Sequence, residues 1–301
     1  MVQILLSTYN GSVFLQELLD SLAAQSFENI AITIRDDNSV DTTLEILKTF
    51  AANNPDISVF AGDRKKAKKS FFYLLNSVSD AEYYAFCDQD DFWYTDKIDR
   101  AINNISKTSS EIPALYFSRL EYVNVKLQLK GFSREPRKAV SFQNALVENM
   151  ATGCTMVINK AARELIIQHL PENCIMHDWW CLLVVSAFGE IIYDATPGVK
   201  YRLHDNNAVG APLSFAQDFK RRVRRLGGEY DPEEWIYAQA KEFQRLYKDI
   251  LPKEKSEILQ KFIDSRKSWL TRLKYAFSAD VYRQRWFDSV ILRLLIIFNR
   301  Y

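Results

Sequence analysis

The sequence predicts an α/β fold, a mixed and mainly parallel sheet flanked by helices and followed by a helical extension. Three observations carry this. Short apolar strands alternate with amphipathic segments of about 10–15 residues through the first third of the chain. The strand segments are apolar almost throughout, as in sheets covered on both faces. From Pro232 onward the pattern turns almost wholly helical.

The elements follow in order. Val2 to Leu6 reads as the first strand, and Phe14, Leu15, Leu18, Leu19 and Leu22 fall on one helical face. Ile30 to Ile34 is a second strand ending at Asp36-Asp37-Asn38, after which Asp41 and Thr42 can cap a helix carrying Leu44, Leu47 and Phe50. Ile57 to Phe60 and Tyr83 to Phe86 are further strands, with a helix from Phe71 to Val78 between them. Downstream, Ala114 to Val125 and Thr152 to Ile158 read as strands, Phe142 to Asn149 and Ala161 to Leu170 as helices. Asp178 to Phe188 is a strongly apolar helix, and Ile191 to Tyr193 and Val199 to Leu203 are the last two strands. Trp286, Val290, Leu294 and Phe298 share one face of a terminal helix.

Composition bounds the function. The chain has 301 residues, 48% hydrophobic and 26% charged, which is an ordinary globular balance. Its four cysteines have no Cys-x-x-Cys spacing and no clustered histidines, which argues against structural zinc or a disulfide framework and for a reducing cytosol. Met1 to Leu6 runs straight into a strand pattern rather than a signal peptide, and the longest apolar stretch, Val290 to Phe298, contains Arg293. Net charge is +1, yet residues 215–301 carry 19 Lys and Arg against 12 Asp and Glu, leaving the remainder acidic. The basic cluster Lys220 to Arg225 could attract nucleic acid, but the acidic remainder opposes that reading.

The run Phe86-Cys87-Asp88-Gln89-Asp90-Asp91-Phe92-Trp93 is the most informative stretch. It takes a buried strand directly into three carboxylates within four positions. Carboxylates at such a strand end are costly to bury unless they hold a cation or a hydrogen-bonded ligand. In open α/β sheets ligands bind at that edge, and Asp-x-Asp there suits a hard divalent metal bridging a diphosphate. Asp36-Asp37 ends another strand, so parallel pairing would put both acidic pairs on one edge. Taken alone, Asp36, Asp37 and Asn38 are equally a helix-capping turn.

These pieces, taken with four others, resemble family-2 inverting glycosyltransferases of the GT-A nucleotide-sugar fold. The others are Ser7-Thr8-Tyr9-Asn10-Gly11, Thr152-Gly153-Cys154-Thr155-Met156, His177-Asp178-Trp179-Trp180 and Tyr201-Arg202-x-His204-x-x-Asn207. The Asp-Gln-Asp-Asp-x-Trp and His-Asp-Trp-Trp forms most resemble bacterial rhamnosyltransferases that build surface polysaccharides. The resemblance implies a catalytic domain over residues 1–212, with a nucleotide-sugar half to about 110 and an acceptor half beyond it. Residues 213–301 form a basic helical extension. It also implies that Thr8, Tyr9, Asn10, Asp36, Asp37, Asp88, Gln89 and Arg202 bind the nucleotide sugar, with Asp41 supporting the loop. Asp90 and His204 would hold Mg2+ or Mn2+, and Asp178 would be the general base. Trp93, Gly153, Cys154, His177, Trp179 and Trp180 would face the acceptor.

Blander readings stand beside these. His177-Asp178 ahead of an apolar helix also looks like an N-cap. Arg202 could bind diphosphate or pair with a structural acid, and core packing competes for each tryptophan. Lys65 to Lys69 could face diphosphate or form a solvated loop. The expected donor is dTDP-L-rhamnose, with a UDP-hexose as the alternative, and the expected acceptor is a lipid-linked glycan. A non-catalytic sugar-nucleotide-binding subunit is the competing class. The basic tail could cover the catalytic domain, make a homodimer, or lie on an anionic membrane, which would make the enzyme peripheral on the inner face of the plasma membrane.

Overall fold

The computed structural model describes residues 1–204, 236–278 and 280–301. Of these, residues 1–135, 151–168 and 189–204 belong to one compact unit, and 136–150, 169–188 and the residues from 236 onward to a second. The expected Lys220 to Arg225 cluster and Asn207 lie outside the described residues.

The first unit holds the sheet. Its strands are β1 (Val2–Thr8), β2 (Ile30–Asp36), β3 (Ile57–Ala61), β4 (Tyr83–Asp88), β5 (Phe92–Trp93), β6 (Ala114–Val123), β7 (Leu129–Phe132), β8 (Val157–Asn159) and β9 (Glu190–Arg202). Among the described residues they order as β3-β2-β1-β4-β8-β6-β9-β5, with β7 beside β6. The β3-β2-β1-β4 portion is parallel throughout, as the alternating strand and helix pattern predicts. Beyond β4 the sheet is mixed: β8 runs antiparallel to both β4 and β6, while β6 and β9 are parallel. The chain adds β2 and β3 outward on one side of β1 and then returns to place β4 on the other, so the strand order switches at β1. Such a switch point opens a crevice at the strand C-termini.

Helices α1 (Ser12–Ala23), α2 (Thr43–Ala52), α3 (Lys66–Ser77), α4 (Lys97–Ile105) and α6 (Lys160–Gln168) belong to this unit. Leu15, Leu18, Leu19 and Leu22 of α1 are buried with Ile4, Leu6, Ile32, Ile34 and Leu47 in a single core cluster, the face the leucine spacing predicts.

Several boundaries differ from the sequence reading, each for a local reason. The two expected final strands are one, β9; its pairing with β6 slips between Ser118 and Leu120, which absorbs Pro197 and Gly198. Only Val157–Asn159 of the expected 152–158 strand is extended, because Gly153–Thr155 closes a 3-10 turn through Thr155 N to Thr152 O at 2.9 Å. Lys66 to Lys69 open α3 rather than a loop, since lysine and alanine favour helix and nothing there breaks one. The helix expected over 142–149 ends at Ala145, and α4, β5 and β7 were not foreseen.

The second unit is helical: α5 (Phe142–Ala145), α7 (His177–Phe188), α8 (Ile236–Tyr247), α9 (Lys253–Asp264), α10 (Trp269–Ala276) and α11 (Trp286–Ile297). Its core is aromatic, with Trp180 of α7 set against Phe243 and Tyr247 of α8 at ring-centroid distances of 5.9 and 6.2 Å.

Candidate active site

The parallel registers pair Thr8 with Asp36 and Ser7 with Asp88, so β1, β2 and β4 end side by side. Both acidic runs therefore emerge on one sheet edge, as parallel pairing requires. The carboxylates on that edge have distinct surroundings.

Asp36 is fully buried and closes a turn: its Oδ1 accepts from Thr8 Oγ1 at 2.9 Å and Ser39 Oγ at 2.6 Å, and its Oδ2 from Ser39 N at 2.8 Å. The turn in the blander reading thus describes Asp36, while the helix that follows has its N-cap at Thr42. Asp37 is buried too, ion-paired with Arg35 and accepting from Lys65 N at 2.9 Å. The Arg35 guanidinium also donates to Ser70 Oγ at 3.1 Å and Asp63 O at 2.6 Å, and burial lowers its pKa. Burial would raise the Asp41 pKa, but hydrogen bonds from Thr43 and Ser12 outweigh it and hold the carboxyl at about 2.

Gln89 clamps the first loop. Its Oε1 accepts from Tyr9 N at 2.7 Å and its Nε2 donates to Tyr9 O at 3.1 Å. A Cβ on Gly11 would come within 2.5 Å of that Oε1, so a side chain there would displace the clamp. Asn10 sits at φ 48°, a conformation asparagine tolerates, and its Oδ1 accepts from Val40 N at 2.9 Å. The guanidinium of Arg64, which the sequence reading missed, lies 4.0 Å from the Tyr9 ring centroid.

The end of β9 grips the Asp88 to Asp91 turn. Arg202 is fully buried; it donates to Asp90 O at 3.0 Å, Val125 O at 2.7 Å and Glu17 Oε2 at 2.7 Å, and its backbone N to Asp91 Oδ1 at 3.3 Å. Pairing with a structural acid is what the structure shows for it. Two residues on, His204 Nε2 lies 2.7 Å from Asp90 Oδ2, and its ring stacks on Phe14 at 5.4 Å. The two residues expected to hold a metal are thus in contact although 114 positions apart.

Asp91 differs from its neighbours. It is fully buried, and desolvation, reinforced by the charges of Asp90 and Asp88, pushes its pKa well above the usual carboxylate range. One oxygen each of Asp88 and Asp91 and the Cys154 sulfur lie within 4.8 Å of one another. That trio fits a hard divalent ion poorly, because the sulfur is a soft ligand and both Asp91 and Cys154 are sealed from solvent. Asp88 and Asp90 are half-buried and, with His204, offer the oxygen-rich donor set that Mg2+ or Mn2+ prefers.

The remaining expected residues sit as follows. Trp93 is in the core of the first unit at 1% exposure. Gly153 and Cys154 are buried in the 3-10 turn. His177, Asp178, Trp179 and Trp180 form the first turn of α7 in the second unit, so His177-Asp178 does not precede the helix as a cap would. Asp178 Oδ1 accepts from Trp179 N at 2.6 Å, and Trp179 Nε1 donates to Ala145 O at 2.6 Å. Trp180 is fully buried in the aromatic core.

The sequence profile described as Glycosyl transferase family 2 matches residues 3–166, more than half of the chain. A dTDP-rhamnosyl transferase, RfbG of Shigella flexneri, is 33% identical over 233 residues, covering 72% of this chain and 77% of the relative. The chain belongs to glycosyl transferase family 2. An uncharacterized glycosyltransferase of Rickettsia typhi is 24% identical over 229 residues, covering 73% and 69%. Among solved structures, S. aureus TarS 1–349 in complex with UDP-GlcNAc superimposes with a TM-score of 0.57 at 14% identity, covering 99% of this chain and 90% of that one. Against a longer TarS chain the TM-score is again 0.57 at 16% identity, covering 92% of this chain but 45% of that one. The mannosyltransferase PcManGT of Pyrobaculum calidifontis, in complex with GDP-Man and Mn2+, gives 0.51 at 13% identity, covering 100% and 88%. The likeness establishes the GT-A fold for this glycosyltransferase.

Proposed function

We propose that this glycosyltransferase moves L-rhamnose from dTDP-L-rhamnose, with inversion and with help from a divalent metal, to a hydroxyl of a lipid-linked glycan in bacterial surface-polysaccharide assembly. The observation that carries the metal-assisted part is the Asp90–His204 contact beside Asp88 on the sheet edge. The donor rests on the similarity to RfbG, a dTDP-rhamnosyl transferase.

In this reading residues 1–212 act as the catalytic domain and 213–301 as its extension, at the inner face of the plasma membrane. Tyr9, backed by Arg64, offers a ring to the base, and Thr8, Asn10 and the Asp36–Asp37 turn shape that pocket, fixed by the Gln89 clamp. Asp88 contacts the ribose or sugar, while Asp90 and His204 hold Mg2+ or Mn2+. When bound, the ion supplies positive charge to the departing diphosphate as a Lewis acid. Asp178 takes the proton from the acceptor hydroxyl. The acceptor oxygen then forms the new bond to the anomeric carbon as the bond to the diphosphate oxygen breaks from the opposite face. One displacement inverts the anomeric centre and needs no enzyme nucleophile. A base so placed contributes about 10²–10⁴-fold.

Turnover assays across dTDP-rhamnose, UDP-glucose and UDP-GlcNAc, with and without chelator, test the reading. Asp90→Ala and His204→Ala should raise the Mn2+ concentration needed for half-maximal rate. Asp178→Asn should lose roughly 10²-fold or more in kcat with donor affinity unchanged. Full activity in chelator removes the metal, an active Asp178→Asn removes the base, and preference for a UDP-hexose replaces the donor.

A further inference from the structure

Helix α11 is apolar on two sides. Leu292, Leu295 and Ile296 are buried, so one side is packed into the second unit. Trp286, Val290, Leu294 and Phe298, the stripe expected to share one face, are 74%, 39%, 41% and 65% exposed. At 3.6 residues per turn they span an arc of about 120°, Arg293 falls at one edge of it, and the exposed Arg300 follows just past the helix end. Helix α10, tied to α11 by Arg272 Nε donating to Ile297 O at 3.2 Å, exposes Trp269 and Leu270, and Phe277 just beyond it is 75% exposed.

Charge selects the occupant. Residues 265–301 contain eight Lys and Arg against two Asp and Glu, and one of those acids, Asp288, is buried. A second copy of this chain meeting the face about a two-fold axis would bring two surfaces of the same strong positive sign together. A nucleic acid would satisfy the arginines but leave Val290 and Leu294 against a hydrated polyanion. An anionic bilayer matches both parts, with apolar side chains at the headgroup–acyl boundary and guanidinium groups at the phosphates.

We propose that α10 and α11 form a membrane-docking surface for lipid bilayers with anionic headgroups, Trp286, Val290, Leu294 and Phe298 entering the boundary layer and Arg293 and Arg300 pairing with headgroup phosphates. The helix lies on the membrane. At 12 residues it is about 18 Å long, and no helix among the described residues is long and apolar enough to cross one.

Co-sedimentation of the full chain with phosphatidylcholine vesicles, with and without phosphatidylglycerol, tests this. Wild-type protein pellets with the anionic vesicles and is released by salt. The double variant R293Q/R300Q partitions onto them roughly 30-fold less, from about a tenfold-or-less loss per cation removed at the surface. W286S/F298S loses at least about 10-fold on anionic vesicles while keeping its far-UV circular dichroism and Tm, because both side chains are solvated. Wild-type protein that does not pellet, or variants that pellet equally, overturn the proposal. So does a dimer in light scattering that W286S/F298S dissociates, or pelleting that requires added polyanion. Rates on a water-soluble acceptor stay unchanged in all variants, which separates this outcome from the sugar-transfer reading.

Discussion

Lys97 is fully buried, and among the described residues its Nζ has no hydrogen-bond partner; the Trp93 ring centroid lies 3.1 Å away. Burial pushes its pKa down from 10.5 to about 7, with Cys87, Cys154 and Asp91 opposing that fall. A shift of this size corresponds to about 5 kcal/mol of penalty on the charged form. The aromatic face returns up to about 2 kcal/mol, so the buried ammonium costs the fold about 3 kcal/mol. Lys97→Met keeps the stem and deletes the charge; it should stabilise the protein by about that amount at pH 6, a Tm rise of roughly 6 °C for a chain of this size. The sign with pH follows from linkage. Below about pH 7 the amine is charged in both folded and unfolded chains, so the penalty is complete. Between about 7 and 10.5 the folded protein loses the proton while the unfolded chain keeps it, so wild type gains and the gap closes. Thermal melts of both proteins over that range give the difference curve, which cancels the uncoupled buried thiol Cys181 and reports Lys97 together with its neighbours Cys87 and Cys154. A variant less stable than wild type at pH 6, or a difference indifferent to pH, would falsify the assignment of Lys97 as an unpaired buried cation.

Two further outcomes follow from buried groups. Arg202→Lys leaves two of the acceptors Asp90 O, Val125 O and Glu17 Oε2 without a donor, and should cost about 2–4 kcal/mol in denaturant melts; a loss below about 0.5 kcal/mol would show that the grip on the acidic turn is dispensable. His177, pushed down to about 3 by burial, stays neutral in the fold while the unfolded chain takes up a proton near 6.5. Stability should therefore fall by about 1.4 kcal/mol per pH unit from 6.5 towards 3 through this residue. His177→Leu should remove that slope without changing the pH 7 value by comparable amounts, and parallel acid profiles would refute it.

The part of the fold governed by apolar runs was legible. Strands β1 and β4 are buried on both faces, so their identity was written in nearly continuous apolar runs, and the leucines of α1 gave its inward face directly. Legibility failed where a long-range partner sets local structure. The 3-10 turn at Gly153–Thr155 and the slip in β9 depend on neighbouring strands, and at Gly198 a Cβ would crowd Ser118 Oγ at 2.8 Å. For helix α11 the spacing gave the shared face of Trp286, Val290, Leu294 and Phe298 but not its fate, because the helix carries an apolar stripe on each side and spacing alone cannot say which one packs.

At the candidate site, the motif located the chemistry but not its distribution. Four consecutive residues form one polar run, yet Asp88 is half-buried at the strand end, Gln89 holds Tyr9, Asp90 meets His204, and Asp91 is sealed in the interior, where desolvation pushes its pKa up. This division has an electrostatic cause. Three ionised carboxylates crowded at one strand end would repel one another, and burial of Asp91 favours its protonated form by desolvation. Asp88 and Asp90 still reach solvent and can meet a cation. Arg202 maintains that arrangement by holding the Asp90 carbonyl and the Asp91 carboxyl from the same strand end that delivers His204. The order Arg202-x-His204 is therefore one device: the arginine fixes the turn, and the histidine two positions later arrives at the carboxylate the turn presents.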